Sequence, residues 1–179
     1  FGFFGLVLLL SLAFGVYRAY AKVKTDRFTV AVATVLRLPI AKVNGEGVLY
    51  SDYVDDLRAI TVMRDYDKAN NGQAASLTDE NLTDQVLFRQ VNNILIGELA
   101  RKNNVKAEPS DIEKIKSGIL EKDFKTIENA RKAIMDRYGW TLEVFEKKVI
   151  VPFVLQSKLA EKIKADPSAR EALRVKAQG

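Results

Sequence analysis

Apolar residues recur at helical spacing through most of the chain between residues 51 and 165. The longest such run covers residues 79 to 103, and its apolar positions are Leu82, Val86, Val91, Ile94, Leu95 and Leu99. This arc is broad, which is typical of a central helix packed on more than one side. No internal repeat or lasting heptad register accompanies it, so the spacing predicts an all-α domain of about five helices.

Short hydroxyl residues mark where three of these helices begin. Ser51 is a good N-cap, and Ser110 forms a capping box with Glu113 three residues on. Thr141 is placed to cap the last core helix.

Glycine and proline residues mark further boundaries. The polar stretch from residue 68 to 76 predicts a loop, and Gly139 is placed to close a helix of about residues 124 to 138 in a left-handed conformation. Pro152 lies inside the last helix and predicts a kink there, because it removes one backbone hydrogen bond.

The segment from Phe1 to Tyr17 carries no charged residue before Arg18. Its length is at the short end of the roughly 17 to 25 residues that cross a bilayer. Since the sequence starts with Phe, we expect a single, N-terminally truncated transmembrane helix over residues 1–17. A signal peptide is the alternative, because Ala19-Tyr20-Ala21 offers a small-x-small cleavage pattern, and a buried helix is a third interpretation.

Residues 18–38 are interpreted as a juxtamembrane stalk. The basic residues after the apolar run would place this flank in the cytoplasm if they acted alone, but residues missing before Phe1 would change the balance, so charge leaves the orientation open. Residues 28 to 38 fit either a strand or a helix, and a helix that continues from the stalk is favoured. Pro39 ends either element.

Composition excludes several kinds of chemistry. The chain has no cysteine and no histidine, so disulfides, thiolate or imidazole zinc sites and histidine-dependent catalysis are excluded. The acidic pairs Asp55-Asp56 and Asp79-Glu80 are interpreted as solvated helix faces. The glycines of Asn44-Gly45-Glu46-Gly47 lack the spacing of a phosphate-binding loop. We therefore expect no catalytic, cofactor-binding or metal-binding residues and no nucleic-acid binding.

Three stretches occur in a recognisable order: IAKVNGEGVLYSDY, then LFRQVNNILIGELARKNNVKAEPSDIEKI, then YGWTLEVFEKKVIVPFVLQSKLAEKI. Together they resemble the N-terminal chaperone domain of the SurA/PpiD/PrsA group. These are extracytoplasmic folding factors that often carry parvulin-type peptidyl-prolyl isomerase domains. The resemblance covers roughly residues 39 to 165 and implies a SurA-N-like helical fold.

The resemblance also implies a short strand and turn at Val43, Asn44, Gly45 and Glu46, which feed the first helix. It further implies an extracytoplasmic location, so together with the N-terminal anchor we expect a single-pass membrane protein with its helical domain on the extracytoplasmic side. The expected partners are unfolded or nascent exported polypeptides, together with the membrane through the N-terminal helix.

The chain departs from this group in one respect, because it lacks the length and the histidines of a parvulin domain. We therefore divide it into a transmembrane helix (1–17), the stalk (18–38), a chaperone domain (39–166) and the start of a helix that leads onward (167–179).

The uninterrupted apolar stretch VIVPFVL, residues 149 to 155, is either a plain core helix or one wall of a binding groove. In the second interpretation the apolar groove for unfolded polypeptide is lined by Tyr138, Trp140, Phe145, Val149 and Phe153.

The sequence thus predicts a membrane-anchored chaperone domain that needs no cofactor, with its oligomeric state open. One alternative is the front part of a parvulin-type isomerase whose catalytic domain lies beyond Gly179. The other is a membrane-tethered scaffold for one folded partner.

Overall fold

The structure is a computed structural model that describes the backbone of residues 2–22, 25–119 and 124–166. Side chains are described for residues 10–20, 25–118 and 124–166. The chain forms two compact units, residues 1–91 and residues 92–179, and the boundary falls inside helix α4 (Asp79–Lys102).

Helices account for 78% of the structure, beside a small two-stranded sheet, so the all-α character predicted from apolar spacing is confirmed. The predicted transmembrane helix over residues 1–17 is wrong: within the part of the chain that the structure describes, no helix has both the length and the apolar character needed to cross a bilayer. Helix α1 instead runs from Gly2 to Lys22. Gly15 and Ala19 lie on its side towards the next helix, and Arg18 adds a charge within it.

The predicted stalk, residues 18–38, comprises the end of α1 and a second helix, and these two helices form a helical hairpin. Helix α2 (Arg27–Val35) starts afresh after α1, because Asp26 caps it by accepting a hydrogen bond from the backbone N–H of Thr29 at 3.2 Å. Arg18 of α1 donates to the same carboxylate at 2.7 Å. Residues 28 to 38 are therefore largely helical as favoured, but they do not continue the first helix.

A β-hairpin follows, formed by β1 (Pro39–Val43) and β2 (Glu46–Leu49) in antiparallel pairing. Asn44 and Gly45 make its two-residue turn with φ values of 50° and 87°. Both central residues of a type I′ turn have positive φ, which asparagine and glycine tolerate best. The strand and turn expected at Val43 to Glu46 are present.

Helix α3 (Tyr50–Ala69) begins one residue before the predicted cap Ser51, and its N-cap position, Leu49, has no side-chain cap bond. The Tyr50 N–H instead donates to the Leu38 carbonyl at 2.8 Å, so the helix start is tied to the chain before the β-hairpin. The buried centre of this unit comprises Ala19, Ala33, Tyr50, Tyr53, Val54 and Val86.

The loop predicted after α3 is ordered by one buried carboxylate. Asp67 accepts the Ala74 N–H at 3.0 Å, inside a short 3₁₀ helix (Gln73–Ser76). A Cβ on Gly72 would lie 2.4 Å from the Asp67 carboxyl carbon, so only glycine fits at this position.

The second unit contains the end of α4, then α5 (Pro109–Ile119), α6 (Ile127–Tyr138), α7 (Leu142–Phe145) and α8 (Val151–Ala165). Its buried apolar side chains are Ala100, Ala130, Ile134, Trp140, Leu142, Ile150, Val154 and Leu159. The stretch 167–179, predicted to begin a further helix, lies outside the described residues.

Two of the predicted boundary residues in this unit behave as expected. Gly139 closes α6 with φ 66°, and Thr141 caps α7 by accepting the Val144 N–H at 3.3 Å. The capping box predicted for Ser110 is wrong, since Ser110 lies inside α5. Asp111 performs that role by accepting the Glu108 N–H at 3.0 Å.

Pro152 is accommodated by a change of helix type. Residues Glu146–Ile150 form one π turn between α7 and α8, in which the Val151 N–H donates to the Glu146 carbonyl. A π turn takes one residue more than an α turn. Pro152 thus lies in the first turn of α8, directly after an inserted residue, and the predicted kink of the helix axis stays a prediction.

Candidate functional site

Three aromatic side chains meet where α6 ends and α7 begins. The ring centroids of Tyr138 and Trp140 are 5.8 Å apart with planes inclined by 19°, and those of Tyr138 and Phe145 are also 5.8 Å apart, inclined by 39°. The left-handed Gly139 reverses the chain between the first two rings. We call Tyr138, Trp140 and Phe145 the aromatic cluster, and all three belong to the predicted groove.

Cations lie over two of these three rings. The Arg137 guanidinium carbon is 6.0 Å from the centroid of Tyr138, and Lys148 Nζ is 5.4 Å from that of Trp140. Both distances are within the range of cation–π attraction, which orders long side chains against ring faces. The aromatic cluster therefore has a basic edge.

The cluster members differ in exposure. Trp140 is buried at 5%, whereas Tyr138 and Phe145 are half-buried. Trp140 therefore forms the buried side of the cluster, and Tyr138 and Phe145 supply its accessible ring surface.

The other two predicted groove residues stand apart from these rings. Val149 lies half-buried in the π turn, and Phe153 is 51% exposed on α8. Among the described aromatic residues, Phe153 makes no ring contact with the cluster. The structure does not bring all five predicted side chains together into one closed groove.

The π turn nevertheless sets the direction in which Phe153 points. In an unbroken α-helix, residues eight positions apart differ by about 80° around the axis, at roughly 100° per residue. One extra residue taken up by the π turn reduces the offset between Phe145 and Phe153 to about 20°. The two rings thus lie on one side of the continuous α7–α8 rod.

We assign Met135 to this surface as well, although it was not among the five predicted groove residues. It precedes Tyr138 by three positions on α6, which places the two on the same helix face. Its side chain is 46% exposed. Its spacing of three residues from Tyr138 was the available signal in the sequence. The sequence alone does not tell whether Met135 or the adjacent Ile134 faces solvent.

Ion pairs hold the helices around the cluster. Arg131 of α6 pairs with Glu143 of α7 at 3.2 Å, and Lys116 of α5 reaches Glu113 at 2.6 Å and Glu146 at 3.6 Å. The pKa of Glu143 is lowered, first by its own backbone N–H and then by the Thr141 side chain, because α7 begins there. The hydrogen bond to Glu113 raises the pKa of Lys116.

The acidic pairs have structural roles. Asp56 was predicted to be solvated, but it is only 4% exposed and accepts hydrogen bonds from Gln90 Nε2 and Arg89, each at 2.7 Å. Asp79 pairs with Arg64. Within the described ranges, no three acidic side chains converge in a way that would hold a metal ion.

An open cleft of about 480 Å³ lies elsewhere in the second unit, between the start of α5 and the end of α8. Its lining is mostly charged, and Lys158 within it is 2.6 Å from Asp111. No aromatic side chain is among the described residues that line the cleft, whereas the aromatic cluster offers ring faces and Met135 and Phe153 are exposed, so these five residues are the candidate site.

Comparison with known proteins returned no match: no family model, no curated protein and no solved structure is significantly similar to this chain. The function of this protein is therefore inferred from the chemistry of this surface.

Proposed function

We propose that this protein holds non-native polypeptides on the accessible surface formed by Met135, Tyr138, Phe145 and Phe153, without covalent chemistry. The observation that carries the proposal is the exposure of large apolar side chains in this unit, 51% for Phe153 and 46% for Met135, in addition to the stacked aromatic rings. The resemblance to SurA/PpiD/PrsA chaperone domains points to the same activity.

The composition of the surface suits varied partners. Methionine is flexible and polarisable, and aromatic faces accept many apolar groups, so neither demands one sequence. The buried Trp140 and the cations over the rings keep the surface in place without any partner.

The expected affinity is modest. Burying one large apolar side chain contributes about 1.5–3 kcal/mol, so three such contacts give about 4–9 kcal/mol before ordering costs. That range corresponds to dissociation constants of about millimolar to micromolar. Weak, reversible binding is what a holding chaperone needs, because the client must leave in order to fold.

The first test measures aggregation of a heat-unfolded client by light scattering in the presence of the full chain. The chain should suppress scattering at near-stoichiometric ratio, and Phe153→Ser with Met135→Ser should remove most of that effect. Phe88→Ser is the matched control, since Phe88 is 70% exposed on α4 in the other unit.

The second test uses Trp140, the single tryptophan of the chain, as a reporter inside the site. Titration with a permanently unfolded, tryptophan-free polypeptide should change Trp140 emission, and a folded form of the same polypeptide should not. Absence of suppression for several clients would refute the proposal. Equal loss of suppression in Phe88→Ser would refute the location of the site.

A further inference from the structure

The α1–α2 hairpin exposes a second, separate apolar surface in the first unit. Three residues of α1 at spacing i, i+4 and i+7, namely Leu10, Phe14 and Tyr17, are 61%, 53% and 57% exposed. On α2, Phe28 and Val35 are 44% and 76% exposed and lie seven residues apart, on one helix face. The Phe14 and Phe28 rings are 6.5 Å apart, so the two stripes join. We call these five residues the hairpin face.

The hairpin face is the outside of a well-packed pair of helices. On the inner side, Gly15 lies directly against Val32, where an added Cβ would be 2.7 Å from Val32 Cγ2. Ala19 and Ala33 are each 1% exposed in the same core. The helices therefore use their small residues to pack on each other, and the large ones are left facing outward.

The sequence that forms this hairpin and the strand after it is predominantly basic. Between residues 10 and 43 the sequence has one acidic residue, Asp26, and six basic residues. The basic residues are Arg18, Lys22, Lys24, Arg27, Arg37 and Lys42. The Asp26 carboxylate is engaged by Arg18 at 2.7 Å and by Thr29 Oγ1 at 2.8 Å. The Arg18 guanidinium carbon also lies 5.6 Å from the Phe14 ring centroid, at the edge of the face.

We propose that the hairpin face binds an anionic lipid surface, with both helices lying in the interface and not crossing it. Apolar and aromatic side chains on one face, bordered by lysine and arginine, are the combination that buries into the headgroup region of a charged bilayer. Tyr17 and Tyr20, 57% and 50% exposed, supply phenols suited to the polar side of that boundary.

The charge argues against the other occupants. A second copy of the chain would bring one basic face against another, and the resulting repulsion opposes pairing. An unfolded polypeptide has no fixed sign of charge to complement the basic border. A lipid surface of negative charge satisfies the apolar and the electrostatic part together.

The first experiment is sedimentation of the full chain with vesicles of phosphatidylcholine alone and of phosphatidylcholine mixed with phosphatidylglycerol. The chain should partition onto the anionic vesicles more strongly than onto the neutral ones. Val35→Glu should lower the partition coefficient by about tenfold or more, since it places a charge on the apolar face that would be buried. Arg27→Gln should lower it about fivefold on anionic vesicles only.

The second experiment uses the absence of cysteine in the chain. A single cysteine at Val35, labelled with a polarity-sensitive nitrobenzoxadiazole dye, should shift its emission to the blue on anionic vesicles. The same label at Phe88, which is 70% exposed outside the hairpin, should not shift. Exposed positions are used in both cases so that the fold is kept, which circular dichroism checks.

Three results would overturn the proposal. These are no vesicle binding, equal binding to neutral and anionic vesicles, and a loss in the Phe88→Glu control equal to that in Val35→Glu. A dimer in lipid-free solution that Val35→Glu dissociates, without vesicle binding, would assign the face to a second copy. None of these results bears on client holding, which involves residues of the other unit.

Discussion

Asp111 shows how much a single carboxylate does in the second unit. It accepts a hydrogen bond from Lys158 Nζ of α8 at 2.6 Å and one from the Glu108 backbone N–H at 3.0 Å. Its side chain therefore begins α5 and joins α5 to α8 at once. The Lys158 bond and then the Glu108 bond lower the pKa of Asp111 from its ordinary value of 3.8.

This predicts a pH-dependent contribution to stability. Because the pKa is lower in the folded than in the unfolded state, the contribution is present above about pH 4 and is lost as pH falls through the folded pKa. Asp111→Asn should lower the melting temperature at pH 7, and the difference from the wild type should shrink as pH is lowered below 3.8.

Thermal melts followed by circular dichroism over this pH range measure the effect. Asp84→Asn, an exposed carboxylate on α4, is the control and should leave the pH 7 melting temperature unchanged. A difference between Asp111→Asn and wild type that persists undiminished at low pH would show that charge is not its source.

At the scale of elements, the α1–α2 hairpin depends on close approach between two backbones. Gly15→Ala should be destabilising although alanine favours helix, because the new methyl group would lie 2.7 Å from the stiff, branched Val32 side chain. The overpacking is expected to cost about 1–3 kcal/mol, against about 1 kcal/mol gained in helix propensity.

Amide hydrogen exchange across α1 and α2 should show the loosening as faster exchange. In a Val32→Gly background, which removes the Val32 Cβ at 2.8 Å from the added methyl group together with both Cγ atoms, the cost of Gly15→Ala should disappear. Gly118→Ala in α5, where no atom lies within 4 Å of the added methyl, is the control and should stabilise by about 0.5–1 kcal/mol. A stabilising Gly15→Ala in the wild-type background would contradict the close packing.

Local signals in the sequence predicted elements whose ends are set by adjacent residues. Thr141 and Gly139 act on their own helix termini, so their roles followed from position alone. Ser51 failed because the start of α3 is fixed by the Leu38 carbonyl, a partner twelve residues from Tyr50 that local patterns do not reveal. The helix expected to continue from the first one instead starts anew, because Asp26 caps α2 and pairs with Arg18 of the preceding helix, a contact that local patterns do not reveal.

The candidate site was predicted in part for similar reasons. Tyr138, Trp140 and Phe145 are close in sequence and meet through one turn, so proximity was expected. The direction of Phe153 depends on the π turn, and no residue type specifies such a turn uniquely. The exposure of Met135 and Phe88 depends on which helix faces find partners, which one sequence does not state.

At the scale of the whole molecule, α4 belongs to both compact units, since their boundary falls between Val91 and Asn92. A continuous helix propagates cooperatively, so melting in one unit should be felt in the other through its hydrogen bonds. Asn93→Pro should interrupt this path, at a cost of about 3 kcal/mol or more to the helix.

Trp140 emission reports the second unit alone, and far-UV circular dichroism reports both. The two melting curves should coincide for the wild type and for the helix-compatible Asn93→Ala, and they should separate for Asn93→Pro. Coincident curves in the proline variant would mean that the units are not coupled through α4.

The π turn at Glu146–Ile150 also means that this helix contains one residue more than a regular α-helix would need. A helix that already contains one surplus residue tolerates its deletion, because the backbone returns to the ordinary α pattern. Because the π turn takes up the surplus residue, the side chains after the deletion, Phe153 among them, would keep their direction around the helix axis. The turn is therefore a place where related chains could lose or gain one codon and still present the same face of α8.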